Sequence, residues 1–288
     1  MLAGKNIPIL SPNRFCIYFM PYSNYYKKSG LFHGSALNMM GTRIDVVMMG
    51  AEPLLSEVWA QITNLTERLH RMLNRFDAAS EISRINYQAA QHPVELSAEL
   101  WNILTDVKKY HRQTLGYFDV SLRDFHQVIL DNNRRTVSFT QKDISLDLGG
   151  YAKGYALEGI RIIFLREGVT QSLVNFGNSS FLAVGAHPHG NYWGIVIENP
   201  YQPGQQLKIC ELCNQSLSVS GNSTLHTRHI MNPRSGIFTN ERKMVSAISN
   251  NAIEDEVITT ALMVADKESV LSIKKTFENV AIDIWDEL

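Results

Sequence analysis

The chain has 288 residues, of which 44% are hydrophobic and 19% charged, and its formal net charge at pH 7 is -1. Such a chain suits one large globular domain, or two closely joined lobes, with a substantial core. A charge so near zero indicates neither a nucleic-acid nor a membrane surface, so we predict no nucleic-acid partner. No run approaches the roughly 20 apolar residues of a membrane span, so we predict no transmembrane segment.

Residues 1–31 show no sustained period, and we predict an N-terminal extension there, followed by one domain over residues 32–288. No signal-peptide core or lipoprotein cysteine is convincing in this extension, so the sequence as written predicts a cytoplasmic location. The three cysteines, an odd number, do not make a disulfide framework. Cys210 and Cys213 form a C-x-x-C without a second pair for zinc, and we expect structural roles for both.

The first half of the domain shows strong helical periodicity after one strand. Ile44, Val46 and Met48 alternate with their neighbours and predict a strand. Apolar residues then step by three and four from Glu52 to Phe76, which predicts a long amphipathic helix. Ser80 is placed to cap a short turn and Ser97 to cap a second helix. A hairpin is predicted around residues 131–133.

The most informative run lies at residues 143–156. Ile144, Leu146 and Leu148 alternate with polar residues, which predicts a half-buried strand. Two glycines follow, and a helix is predicted from there to Gly168. A strand, a glycine turn and a helix would direct backbone N–H groups at one point, which suits a phosphate, with Lys153 close enough to join them. The alternative is an ordinary connection with a solvated lysine.

The second half alternates strands and helices irregularly. Strands are predicted around residues 172–175, 181–184, 193–197, 207–213, 216–220, 246–248 and 280–284, and helices at 252–265 and 269–276. This order indicates an α+β fold with mostly antiparallel sheets and packed helices.

Two places on this half could carry chemistry. Glu256 and Thr260 lie four residues apart on a predicted helix, so their oxygens share one face and suit Mg²⁺. The alternative is an acid cluster that stabilises the start of the helix. His229 precedes a Pro-Arg-Ser-Gly turn and suits a base, an orienting donor or a solvated loop residue. The chain has no G-x-S-x-G nucleophile elbow and no complete Walker A or G-x-G-x-x-G motif.

Taken together, several short motifs resemble those of the ApbE-type FAD:protein FMN transferases, in the order typical of that family. The resemblance covers roughly residue 32 to the C-terminus, and the D-L-G-G-x-A-K-G-Y-A run is its most specific part. The matching stretches are Met40–Thr42, Arg75–Phe76, Ser80–Asn86, Gly116–Val120, Asp147–Ala156, Val174–Gly177, Ser220–Gly221, His229–Gly236 and Thr260–Leu262.

The resemblance implies an enzyme that binds FAD with Mg²⁺ and transfers FMN to a Ser or Thr hydroxyl of an acceptor protein, releasing AMP. By the same resemblance, Ala152, Glu256 and Thr260 match the metal ligands, the first through its carbonyl. His229 matches the functionally important histidine near the transfer site. The positions implied to bind the flavin nucleotide are Met40, Ser80, Glu81, Asp119, Lys153, Gly177 and Ser220.

The chain departs from the family pattern at three places. Glu256 stands where the family usually has aspartate, and Asn232 stands where aspartate is common. Gly177-Asn178-Ser179 replaces a Gly-Gly-Asp. These departures leave two other functions open: FAD pyrophosphatase activity, with water as acceptor, and flavin binding without transfer. Members of the family are commonly exported lipoproteins, which contrasts with the location predicted above.

Overall fold

The computed structural model describes residues 21–121, 123–223 and 230–288. Every strand pair in these ranges is antiparallel, and helices pack on the sheets, so the predicted α+β class is confirmed. The main sheet has eight strands, which in spatial order are β1 (Pro21–Tyr26), β2 (Leu31–Met39), β3 (Thr42–Met49), β7 (Ser172–Phe176), β8 (Ser180–Val184), β11 (Ser216–Gly221), β14 (Met244–Ser249) and β15 (Ala281–Trp285).

Three smaller sheets complete the strands of the described ranges. They are a three-stranded sheet of β4 (Val94–Glu95), β6 (Thr136–Phe139) and β5 (Val128–Asp131), a ribbon of β9 (Trp193–Glu198) and β10 (Gln206–Leu212), and a hairpin of β12 (Met231–Asn232) and β13 (Ile237–Phe238). The α-helices are α1 (Glu52–Leu73), α2 (Glu81–Gln88), α3 (Ala98–Gln113), α4 (Gly149–Glu167), α5 (Ala252–Leu262) and α6 (Lys267–Thr276).

The sheet starts earlier along the chain than predicted. Residues 21–26, placed by the sequence in an irregular extension, form the edge strand β1, and each of the six pairs with β2. The Tyr25 hydroxyl also donates to the carbonyl of Gly50 at 3.0 Å. The pattern gave no signal because an edge strand that is largely exposed needs no apolar alternation. The predicted extension at residues 1–20 lies outside the described residues.

Helix α1 ends before Phe76, which the prediction had placed on its buried face. Asn74 leaves the helix with extended backbone angles, and its side-chain oxygen accepts a hydrogen bond from the Phe76 N–H at 3.0 Å. Phe76 is consequently 83% exposed. The caps at Ser80 and Ser97 are confirmed, since each hydroxyl accepts a backbone N–H three residues on.

The strand predicted at residues 144–148 is wrong, although the predicted alternation of burial is present there. The segment pairs with no strand. Instead, the Asn86 side chain donates to the Leu146 carbonyl at 3.0 Å and accepts the Leu146 N–H at 2.7 Å. Asp147 N donates to the Val120 carbonyl at 2.7 Å. An asparagine amide thus supplies the hydrogen bonds that a neighbouring strand would give.

Helices and a ribbon cover opposite faces of the main sheet. On one face, apolar residues of β2, β3 and β7 pack against α1 and α4. On the other, alternate residues of β8 and β11 pack against the β9–β10 ribbon. A third apolar cluster joins α2, α3, α5 and the three-stranded sheet. No helix in the described ranges is both long and apolar enough to cross a bilayer.

Helices α4 and α5 approach each other closely at Gly154. A Cβ atom on Gly154 would lie 2.5 Å from the carbonyl oxygen of Ala252, which begins α5. Only glycine permits this distance between the two backbones. The contact fixes the beginning of α4 beside α5, where the three predicted metal ligands and Lys153 lie.

Candidate active site

A cleft of about 240 Å³ lies at the beginning of α4. It is bounded by the β2–β3 turn, the first turn of α4 and the turn between β7 and β8. Four residues predicted for the nucleotide and metal site line it together. Its lining consists of Met40, Thr42, Gly149, Ala152, Lys153, Gly177 and Ser179.

Three of the four backbone N–H groups in the first turn of α4 are engaged by protein acceptors. Gly149 N donates to the Asp147 carboxylate at 2.9 Å, while Tyr151 N and Ala152 N both donate to the Leu148 carbonyl. Among the described residues, the Gly150 N–H has no acceptor in this turn, and it lies at the positive end of the helix. The arrangement favours an anion, through a single N–H rather than the several that the predicted glycine turn implied.

Glu256 of α5 does not line this cleft itself but contacts Lys153, which does. The Lys153 ammonium lies 3.0 Å from Glu256 Oε2, and the Ser180 hydroxyl of β8 donates to Oε1. The Glu256 side chain is only 4% exposed and that of Lys153 19%. Both oxygens of this buried carboxylate are therefore engaged by groups from other elements. The sequence analysis missed Ser180, because a serine in a strand carries no local signal of such a contact.

Thr260 faces the same region from the second half of α5. A Cβ atom on Gly150 would lie 3.0 Å from Thr260 Oγ1, so the absence of a side chain at Gly150 lets the hydroxyl approach the start of α4. A carboxylate, a hydroxyl and a carbonyl from Glu256, Thr260 and Ala152 are hard oxygen donors, which suit Mg²⁺. The described residues contain no group of three His, Cys, Asp or Glu side chains that could bind a metal.

Ser220 is held beside α5 rather than in the cleft lining. Its hydroxyl donates to Thr259 Oγ1 at 2.9 Å, and the Ser218 hydroxyl lies 3.1 Å from the same atom. These hydroxyls attach β11 to α5 one residue before Thr260. From these contacts we infer that Ser220 positions α5.

A second, larger cleft of about 710 Å³ contains exposed aromatic rings. Arg75 lines it and forms an ion pair of 2.9 Å with Asp147, the residue that accepts the Gly149 N–H. Phe76 and Tyr87 line the same cleft and are 83% and 78% exposed. Tyr87 was missed by the sequence analysis, since an isolated tyrosine on a short helix carries no signal.

The predicted nucleotide residues Ser80 and Glu81 shape this larger cleft. The Ser80 hydroxyl caps α2 by accepting Ser83 N at 3.0 Å. The Glu81 carboxylate accepts Ser97 N at 2.7 Å and the Ser97 hydroxyl at 2.8 Å, which ties α2 to the start of α3. Both line the cleft, yet their polar atoms are committed to holding the wall.

Asp119 is placed in an internal network, away from the lining of both clefts. Its carboxylate accepts hydrogen bonds from the backbone N–H groups of Ser121 and Phe125 and lies 3.3 Å from His111 Nε2. Burial raises the pKa of Asp119, but the hydrogen bonds from His111 and Ser121 outweigh it, so the net pKa is lowered.

We expect Asp119→Asn to act on stability. The variant should lose about 2 kcal/mol of unfolding free energy at pH 7, because an amide cannot replace a carboxylate that accepts this many donors. Since the pKa of Asp119 is lowered on folding, its contribution is present above the unfolded value and is lost as pH falls through the folded value. Urea denaturation at pH 7 and pH 3.5 measures this. An unchanged midpoint with weakened FAD binding would instead support the nucleotide role predicted for Asp119.

Met40 lies at the tip of the β2–β3 hairpin in a left-handed conformation, with φ at 51°. Its N–H donates to His70 Nδ1 of α1 at 3.0 Å. Nδ1 can accept only when it carries no proton, so this bond requires neutral His70. Burial lowers the pKa of His70, which favours that form.

We expect His70→Phe to remove this acceptor and weaken FAD binding severalfold, because Met40 lines the cleft. In the wild type, the pKa of His70 is lower folded than unfolded, so its contribution is present above pH 6.5 and declines as pH falls below it. Unfolding at pH 7.5 and pH 5.5 should show that the variant loses part of this dependence. If the unfolding free energy of the variant changed with pH as much as that of the wild type, and FAD affinity were equal, the positioning role of His70 would be contradicted.

His229 lies outside the described residues, but the hairpin after it is well anchored. The Arg234 guanidinium carbon lies 4.0 Å from the centre of the Tyr117 ring, and Nη1 is 3.5 Å from Asp266. Asn232 donates from Nδ2 to the Val264 carbonyl at 3.3 Å and accepts Arg234 N at 2.9 Å. An aspartate could not make the first of these bonds, which gives a structural reason for asparagine here.

The fold and its clefts define an α+β protein in which the start of helix α4 faces a buried carboxylate and a threonine hydroxyl. The sequence profile of the ApbE family matches residues 40–129 and 121–282, and the chain belongs to this family. It is 25% identical to an FAD:protein FMN transferase of Klebsiella pneumoniae, over 76% of this chain and 80% of the relative. It is 26% identical to one of Chlamydia muridarum, over 70% and 74%.

Solved structures show the same fold. The flavin transferase ApbE of Vibrio cholerae superposes with a TM-score of 0.79 at 18% identity, covering 90% of this chain and 94% of that protein. An ApbE protein of Thermotoga maritima superposes with a TM-score of 0.75 at 17% identity, covering 93% and 97%. The architecture is thus retained although few side chains are shared.

Proposed function

We propose that this chain is an Mg²⁺-dependent FAD:protein FMN transferase. It moves FMN from FAD to a Ser or Thr hydroxyl of an acceptor protein and releases AMP. The observation that carries the proposal is the meeting of the α4 start with α5 at one cleft, where Lys153 contacts Glu256 and Gly150 abuts Thr260. The similarity to curated FAD:protein FMN transferases supports the choice of reaction.

The two clefts suit the two parts of FAD. The pyrophosphate lies at the start of α4, where the Gly150 N–H and the Lys153 ammonium favour its charge. The larger cleft presents the exposed rings of Phe76 and Tyr87, which suit stacking against a flat heterocycle. The ion pair of Arg75 with Asp147, which also accepts the Gly149 N–H, links the walls of the two clefts, and we propose that FAD extends across both.

Ala152, Glu256 and Thr260 would hold the Mg²⁺, which, when bound, neutralises negative charge on the pyrophosphate oxygens. In the reaction, the acceptor hydroxyl oxygen forms a bond to the phosphorus on the FMN side. The bond from that phosphorus to the bridging oxygen breaks, and AMP leaves with that oxygen. The hydroxyl proton passes to a base, for which His229 is our candidate. Because the nucleophile belongs to the acceptor, the enzyme needs no serine of its own.

Intact mass spectrometry tests the reaction. The protein is incubated with FAD, Mg²⁺ and a threonine-containing acceptor domain, with the same mixture in EDTA as control. An FMN adduct on the acceptor that depends on Mg²⁺ is expected. Release of AMP with free FMN and no adduct would show a pyrophosphatase, and unchanged bound FAD would show a binding protein.

His229→Ala is expected to keep FAD binding while transfer falls by about a hundredfold or more, because a general base contributes about that much. Flavin fluorescence measures the binding and acceptor mass the transfer. His226→Ala, a substitution of a nearby histidine, is the matched control. If transfer by His229→Ala equalled that of the wild type, His229 would be an ordinary loop residue.

A further inference from the structure

Lys153 connects the two charged partners of the proposed site. Its ammonium lies 3.0 Å from Glu256 Oε2, while its backbone belongs to the first turn of α4, which forms the cleft. A lysine has a long flexible side chain and a single point charge, so it can change partner without movement of the main chain. Glu256, in contrast, is buried and held by Ser180, so it stays in place.

The pairing creates a conflict for any cation. A carboxylate that already faces an ammonium offers a bound Mg²⁺ less net charge, and the ammonium repels a divalent ion at the same atom. If Lys153 left while nothing replaced it, a buried carboxylate would be unpaired, which is costly. The cation and the lysine are therefore alternative partners of Glu256.

We propose that Lys153 exchanges partners, pairing with Glu256 in the free protein and with the FAD pyrophosphate when Glu256 binds the metal. This inference rests on the proposed function, since it assigns the cleft to that pyrophosphate and Glu256 to the metal. Metal binding to Glu256 releases Lys153 for the pyrophosphate, and pairing of Lys153 with the pyrophosphate frees Glu256 for the metal. Each ligand should therefore bind more tightly when the other is present. Lys153 is thus a positioning residue that couples the two ligands.

The first measurement uses Mn²⁺ alone, without nucleotide, and follows the free Mn²⁺ signal by electron paramagnetic resonance. Lys153→Gln should bind Mn²⁺ about tenfold more tightly than the wild type, because the competing charge is gone while an amide donor remains for Glu256. Lys208→Gln is the matched control. It removes a lysine paired with Asp283 at 2.6 Å on the β10 ribbon, and its Mn²⁺ affinity should stay at the wild-type value.

The second measurement uses FAD in saturating Mg²⁺, without acceptor, and follows flavin fluorescence, because Lys153 is released to the pyrophosphate only when Glu256 holds the metal. Lys153→Gln should bind FAD about tenfold more weakly, and Lys208→Gln should bind it as the wild type does. Opposite changes in the two affinities from one substitution are expected from an exchange, whereas a damaged fold would weaken both. Circular dichroism melting confirms that each variant is folded, and Lys153→Arg, which keeps the charge, provides a second variant.

Two results would overturn the exchange. In one, folded Lys153→Gln binds Mn²⁺ no more tightly than the wild type. In the other, its FAD affinity in saturating Mg²⁺ is unchanged. Glu256→Gln separates these failures from failure of the proposed function. If it abolishes Mn²⁺ binding while Lys153→Gln changes nothing, only the exchange is wrong. If the wild type and Glu256→Gln both fail to bind Mn²⁺, the metal site of the proposed function is wrong as well.

Discussion

Glu256→Gln should lower FMN transfer by about a hundredfold or more, a barrier increase of roughly 3 kcal/mol. Glu256 is the sole carboxylate among the three predicted metal ligands, and glutamine keeps its shape while removing its charge. The substitution also leaves Lys153 without its anionic partner, so a lower melting temperature is expected. Acceptor mass at saturating FAD and several Mg²⁺ concentrations measures the transfer.

Asp255→Asn provides the control, since Asp255 is the neighbouring buried acid on the same helix. Its carboxylate accepts the Ser216 hydroxyl and does not line the described clefts. Burial raises the pKa of Asp255 well above its ordinary value, more than its hydrogen bonds with Ser216 and Ser249 lower it. Folding therefore favours the protonated form of this carboxyl, and asparagine resembles that form.

The control should keep full transfer, and its unfolding free energy at pH 7 should match or exceed that of the wild type. A raised pKa means that the contribution of Asp255 is fully present below the unfolded value and is lost as pH rises through the higher folded value. Asparagine removes this loss. If Glu256→Gln retained Mg²⁺-dependent transfer like Asp255→Asn, the assignment of Glu256 to the metal would have to be abandoned.

Gly154→Ala should be the most destabilising small substitution in the site. The added Cβ would lie 2.5 Å from Ala252 O and 2.9 Å from Ala252 C and Ile253 Cα. All three are backbone atoms, so no rotamer change relieves the contact and α4 must move away from α5. Overpacking of this kind costs about 1–3 kcal/mol or more, against a gain of up to about 1 kcal/mol in helix propensity. We expect a net loss of about 2 kcal/mol and weaker FAD binding.

Gly159→Ala is the matched control, because it makes the same substitution about one and a half turns further along α4. Its Cβ would lie 2.7 Å from Leu65 Cδ2, the end of a flexible side chain that can rotate away. The expected change in unfolding free energy lies within about 1 kcal/mol of zero, with stabilisation possible from the better helix former. Guanidinium denaturation measures the unfolding free energy of both variants. Equal stability of the two would mean that the α4–α5 contact does not determine the position of the site.

The sequence by itself determined the elements whose signals are local. The long α1, the serine caps, the hairpin at residues 131–133 and most strands were readable because helix periodicity, strand alternation and capping all lie within a few residues. The same holds for the family, since short motifs in a fixed order need no knowledge of contacts. The predicted ligands Ala152 and Lys153 were also identified correctly as neighbours at the start of one helix.

Only the tertiary structure decided which partners the polar groups take. Lys153 and Glu256 are 103 residues apart in sequence, and Ser180 and Glu256 are 76 apart. Asn86 completes the hydrogen bonding of Leu146 from 60 residues away, so alternation at residues 144–148 did not make a strand. Asp119 faces His111 instead of a cleft. Such pairings follow from the order of strands and the close approach of α4 and α5 at Gly154, which no local pattern encodes.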